Sequence, residues 1–128
     1  MRTHHTLLCW QVARDLTAQT HQLTVRRWSP PASAAFDQLR RASLSVRLNI
    51  AEGHALASPG AFARHLNVAY GSAVETTEIL EFCTETGLLT SADTKPLIEL
   101  GRRVEALVLR LRIRCLAERK ASPDRRRC

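Results

Sequence analysis

From Phe36 to Gly53 the apolar and small positions return in steps of three and four, at Phe36, Leu39, Ser43, Val46, Ile50 and Gly53. That spacing lays them along one face of an α-helix, so this part of the chain needs a neighbour to cover a stripe. Asn49 and Glu52 fall just beside the stripe. Polar groups bordering a packed seam must be hydrogen-bonded or they cost stability, so this pair is expected to fix register rather than to do chemistry.

Three more segments repeat the pattern. About residues 7 to 26 place Leu8, Val12, Leu16, Gln19 and Leu23 on one stripe, with Trp10 off it, and Ser29-Pro30-Pro31 ends the run. The second helix is expected over about 34 to 56, with Ser33 as its N-cap and Asp37 in its first turn. Ser58-Pro59 reads as an N-cap followed by proline at the first helical position, opening a third segment of about 59 to 86 that Gly87 closes. Its seam is Phe62, Leu66, Ala69, Ala73, Thr76, Leu80 and Cys83, and Ala69, Gly71, Ser72 and Ala73 are small enough to admit a close neighbour. Thr90-Ser91 caps a fourth segment of about 92 to 119, with Leu97, Leu100, Val104, Leu107, Leu111 and Cys115 as its seam.

Leu109 to Cys115 alternates with period two and fits a strand as well. With no second alternating run to pair with, helix is the expected state. Rods of this length, roughly 30 to 40 Å at about 1.5 Å per residue, joined by short loops, pack as an antiparallel up-down-up-down four-helix bundle. Residues 1 to 119 form one domain in this reading, and 120 to 128 a basic flexible tail. Five Gly, five Pro and few aromatic residues leave little material for a turn-rich sandwich.

Four scattered cysteines, at 9, 83, 115 and 128, contain no Cys-x-x-Cys pair, so neither a zinc site nor a disulfide framework is indicated. Reduced thiols in a cytoplasmic protein are expected. The first residues lack the apolar core of a signal peptide, and no apolar run reaches the length of a membrane span.

The formal net charge of +7 is unevenly spread. Residues 1 to 60 carry seven Arg against three acids, residues 61 to 96 two bases against five acids, and residues 97 to 128 ten bases against four. Alternating blocks suit attraction to nucleic acid, subunits meeting basic face to acidic face, or simply a solvated surface. Arg40, Arg41 and Arg47 lie on the second helix, while Arg103, Arg110 and Arg114 share a face of the fourth. A planar guanidinium makes two parallel hydrogen bonds to phosphate, which makes these six the candidate nucleic-acid contacts. Glu75, Glu78 and Glu85 cluster on one side of the third helix, where they could meet arginines across a subunit boundary. Trp10 and Trp28 read as packing residues rather than base-stacking platforms, and the five histidines, without ligand spacing, as surface or packing residues.

No P-loop, Gly-x-Ser-x-Gly elbow, His-Glu-x-x-His or pair of Glu-x-x-His repeats is present. Glu52, Glu75 and His65 are the one grouping that hints at catalysis. The expectation is no enzyme, no metal and no cofactor, with Asn49, Glu52, Ser72 and Glu75 bonding between helices two and three or to an arginine.

Taken in order, Cys9-Trp10-Gln11, Gln38-Leu39-Arg40-Arg41-Ala42, Asn49-Ile50-Ala51-Glu52-Gly53, Ala69-Tyr70-Gly71-Ser72 with Glu75, and Thr86-Gly87-Leu88-Leu89 resemble the four-helix-bundle proteins encoded in intervening sequences of bacterial ribosomal RNA genes. The resemblance spans roughly residues 7 to 117. It implies a bundle assembled as a ring-shaped homopentamer, without enzymatic activity. It also implies kinship with the accessory variability proteins of diversity-generating retroelements, similar bundles that bind nucleic acid and a reverse transcriptase. Arg47 stands where the family commonly has proline, and His54-Ala55-Leu56 follows Gly53 in place of the usual Gly-Arg. The functional expectation is a non-catalytic oligomeric accessory protein that binds structured RNA or DNA and serves as adaptor for a reverse transcriptase. A ring serving protein contacts alone is the alternative.

Overall fold

The computed structural model describes residues 3–121. Four helices, α1 Leu8–Arg26, α2 Ser33–Ala55, α3 Pro59–Glu85 and α4 Ser91–Ala121, are joined by short connections, with 3₁₀ turns at His4–Thr6 and Pro30–Ala32. Among the described residues there is no strand, and Leu109 to Cys115 lies inside α4. Each helix packs on its neighbours in the chain, and α1 closes the bundle on α4. The diagonals are therefore α1 with α3 and α2 with α4. The expected tail falls mostly on residues 122–128, outside the described residues, whereas Lys120 and Ala121 continue α4.

Local chemistry accounts for the boundaries. Ser58 Oγ accepts from the Ala61 amide at 3.4 Å, with Pro59 in the first turn. Thr90 and Asp93 cap α4 reciprocally: Thr90 Oγ1 accepts from the Asp93 amide at 3.1 Å and Asp93 Oδ2 from the Thr90 amide at 3.2 Å. Gly87 leaves α3 at φ +77°, which lets its own amide reach Thr84 C=O and that of Leu89 reach Cys83 C=O. Ser33 is not the N-cap of α2. The Pro30–Ala32 turn runs straight into the helix, Ala32 already has helical torsions, and no side chain caps it.

The core is a layer of Leu16, Phe36, Leu39, Val46, Ile50, Leu66, Leu80, Val104 and Val108, all sealed from solvent. Each large member contributes about 1.5–3 kcal/mol of burial. All six stripe positions of α2 are buried, as are the α3 seam positions except the half-buried Phe62. The α1 stripe is rotated from expectation: Leu8 is 49% exposed and Gln19 is exposed, while Cys9, Trp10, Ala13, Thr20 and Thr24 face inward. Trp10, at 4% exposure, is therefore a core residue of that helix. In α4, Gly101 and Val108 are buried, while Leu100, Leu107 and Leu111 are only partly so.

Two glycines set the closest crossings. A Cβ on Gly53 would stand 2.6 Å from His65 Cβ, and one on Gly101 would stand 2.5 Å from Thr77 Cγ2. The α2–α3 and α3–α4 axes thus approach at these points more tightly than an alanine permits. Gly71, expected at a tight crossing, is exposed with no neighbour within 4 Å.

Candidate nucleic-acid interface

The polar residues singled out beside the α2 stripe line one seam, between α2 and α3. Gln38 Nε2 donates to Glu75 Oε1 at 3.0 Å, the Ser45 and Ser72 hydroxyls share a hydrogen bond of 2.8 Å, and Asn49 Oδ1 stands 3.0 Å from His65 Nδ1. Asn49 spends its amide nitrogen on Ser45, at 2.9 Å to the carbonyl and 3.1 Å to the hydroxyl. Its oxygen must then accept, so His65 Nδ1 carries the proton. Glu52 Oε2 lies 4.0 Å from His65 Nδ1 on an exposed side chain, too open to add much. Asn49, Glu52, Ser72 and Glu75 therefore meet residues across the α2–α3 seam, and the partners are Gln38, Ser45 and His65 rather than arginines. The grouping of Glu52, Glu75 and His65 does not converge, since Glu75 bonds to Gln38 and His65 to Asn49. Among the described residues no three His, Cys, Asp or Glu side chains gather to hold a metal ion.

Three of the six arginines border α1, Arg40 and Arg47 from α2 and Arg103 from α4. On the α2 side, Arg40 Nε donates to Thr24 Oγ1 of α1 at 2.9 Å, with Asp37 Oδ1 3.8 Å from its Nη1. The Arg47 guanidinium lies 5.2 Å from the Trp10 ring centre, and Arg14 of α1 lies 5.4 Å from the same ring. Indole is the best aromatic partner for a cation, so Trp10 holds both guanidinium groups at the α1–α2 groove without neutralising them. That groove, about 470 Å³, is lined by Thr17, Ala18, His21, Gln22, Leu44 and the two α2 arginines. On the α4 side, Arg103 borders a hollow with Gln19 of α1 and with Pro96, Glu99 and Leu100. Arg110 and Arg114, both exposed, lie in register with Arg103 along α4 by steps of seven and four. Arg41 is exposed on α2 and makes none of the α1 contacts of Arg40 and Arg47.

Electrostatics sharpen the division. The helix diagonal to α1 is α3, which carries one arginine, Arg64, against four glutamates, Glu75, Glu78, Glu81 and Glu85. At the N-terminal end of α1, His4 is held below the ordinary histidine range by burial and then by the neighbouring charges of His5, His54 and Arg47. Cationic groups thus crowd the α1 corner while carboxylates crowd the α3 corner.

Sequence reasoning missed α1 itself, which supplies Arg14 and the wall between the rows. It also misplaced Trp28, which is 52% exposed and so not a packing residue within the described chain. The signal for Trp10 was its three-residue step to Ala13 and onward to Leu16, both on the inward face. Among the described residues, no helix is long and apolar enough to cross a membrane.

The profile of the 23S rRNA-intervening sequence protein family matches residues 5–109, most of the chain. No curated protein matches it.

Proposed function

Because the chain belongs to the 23S rRNA-intervening sequence protein family, we propose that it is a non-catalytic, cytoplasmic accessory protein that binds structured RNA or DNA against its α1 corner. One observation carries this reading: Arg40 and Arg47 on one side and Arg103 on the other flank α1, with Arg110 and Arg114 in register with Arg103 along α4 and the glutamate-rich helix on the far end of the diagonal. A polyanion is drawn to one edge of such a molecule and repelled from the other. Subunits assemble as a ring-shaped homopentamer in this proposal, through the α3 face, whose Val68, Val74 and Phe82 are exposed apolar groups beside the glutamates. The ring is the adaptor that holds a reverse transcriptase near its template in a diversity-generating retroelement, as the resemblance of the residue runs implies.

Binding is tested by fluorescence anisotropy with labelled RNA and DNA over a range of salt. Affinity is expected to fall linearly on logarithmic axes, with a slope of about −0.9 per phosphate neutralised on duplex. R40E/R47E and R103E/R110E each weaken binding and flatten the slope, and E75K/E78K does not weaken it. Absence of binding at low salt, or indifference to both arginine pairs, defeats the proposal. The alternative, a ring for protein contacts alone, is favoured by the exposed α3 apolar groups and survives only in that case.

A further inference from the structure

Resting on the nucleic-acid reading above, we propose that α1 is a recognition helix for double-helical DNA, entering the major groove with Ala18, His21, Gln22 and Val25 toward the base edges. The α2 and α4 arginines then hold the phosphates on either side. The placement of α1 is the first argument. It packs on α2 and α4 and stands diagonally from α3, so its remaining surface is an open corner of the bundle. Ala18, His21, Gln22 and Val25 are all exposed, and their steps of three and four put them on one outward stripe.

Their chemistry suits base edges. Glutamine pairs in bidentate fashion with adenine N6 and N7, small apolar groups such as Ala18 and Val25 fit against thymine methyls, and an imidazole gives one donor and one acceptor. Gln22 makes no hydrogen bond among the described residues, whereas Gln11, higher on the same helix, already donates to His5 C=O at 2.9 Å. The reader is thus the C-terminal half of α1. Asp15 is the only carboxylate on the helix, and it lies above that stretch, 3.3 Å from Arg14 Nε. On the flanks, Asp37 faces Arg40 and Glu99 lies beside Arg103, so arginine prevails in both rows without standing alone.

Dimensions give the second argument, and they separate DNA from RNA. A helix with its side chains is about 10–12 Å across, and the B-form major groove is about 12 Å wide and 8.5 Å deep. The A-form major groove is too deep and narrow for side chains to read. With α1 in a B-form groove, Arg40 and Arg47 lie toward one phosphate strand and Arg103, Arg110 and Arg114 toward the other.

The test compares a mixed-sequence DNA duplex about two helical turns long, the matching RNA duplex and the single strands, at one low salt concentration, with dimethyl sulfate footprinting of guanine N7. The DNA duplex is expected to bind about tenfold tighter than the RNA duplex, with N7 protected because that atom faces the major groove. Gln22→Ala lowers DNA affinity about tenfold with the salt slope unchanged, and Ala18→Trp, which thickens the helix, removes the preference for DNA. Both sites are exposed, and circular dichroism checks that the variants fold; should Ala18→Trp misfold, Gln22→Ala and the footprint still decide. Equal binding to both duplexes, or open N7 atoms under saturating protein, overturns the inference and leaves the nucleic-acid reading intact. Failure to bind any of the probes defeats both.

Discussion

Three glycines sit in two kinds of environment, and each dictates the sign of its replacement by alanine. At Gly53 and Gly101 the new methyl group would meet His65 Cβ or Thr77 Cγ2 well inside contact distance, so helix axes or side chains must shift. Overpacking of this kind costs about 1–3 kcal/mol. Gly71 has open space around it, and there the substitution removes helix-interior backbone freedom, a gain of roughly 0.5–1 kcal/mol. Ala57, between α2 and α3, has φ +54°, a left-handed position that glycine fills more comfortably. Urea unfolding is expected to rank Gly71→Ala and Ala57→Gly at or above the parent, and Gly53→Ala and Gly101→Ala below it. Gly71→Ala falling below the parent would mean that this position is covered in the assembled protein.

At its C-terminal end helix α1 is tied to α4 by a two-pronged clamp. Arg27 Nε and Nη2 each donate to an Asp93 carboxylate oxygen at 3.1 Å, and the Asp93 side chain is only 8% exposed. Burial pushes the Asp93 carboxyl upward, but hydrogen bonds from Arg27 and Thr90, with the Arg27 charge, outweigh it and hold the group below the usual range. A folded value below the unfolded one means that the stabilisation is complete above about pH 3.9 and is lost as the pH falls through the folded value. Asp93→Asn is therefore expected to lower the melting temperature near neutrality and to flatten its fall below about pH 4. A parallel fall in parent and variant would remove the clamp from the account. The same helix explains why α2 was legible and α1 less so. Four of the six α2 stripe positions, Phe36, Leu39, Val46 and Ile50, are large and apolar, so the helical period stands out. In α1 the inward face includes Thr20 and Thr24, the latter hiding its hydroxyl on the His21 carbonyl of its own helix at 2.9 Å, so polar names stand at core positions while Leu8 has the right spacing on the wrong side. The arginines were visible as a count, but that Arg40, Arg47 and Arg103 flank α1 is a tertiary fact that no spacing within one helix contains.

The molecule has one basic edge and one acidic edge at opposite ends of one diagonal, which makes two unlike surfaces available to a second copy. Contacts between unlike surfaces repeat head to tail, and they close into a ring when the rotation allows. In the proposed pentamer the α3 edge, with Val68, Val74 and Phe82 exposed, faces a neighbour, while the α1 corner is left for nucleic acid. Light scattering of V68D/F82D is expected to give the mass of one chain, with helical circular dichroism retained. An unchanged mass would move the interface elsewhere. One further consequence lies in the thiol of Cys9, which burial pushes up to about 11 against smaller downward pulls from backbone amides. Because α1 packs less extensively on α2 and α4 than α3 does on the same two helices, it is the helix expected to come away first in thermal fluctuation, and each such departure bares a sulfur that is otherwise inert. Residue 9 is thus a built-in clock for the undocking of the rod proposed to meet the polyanion, and an occupied corner would slow its ticking.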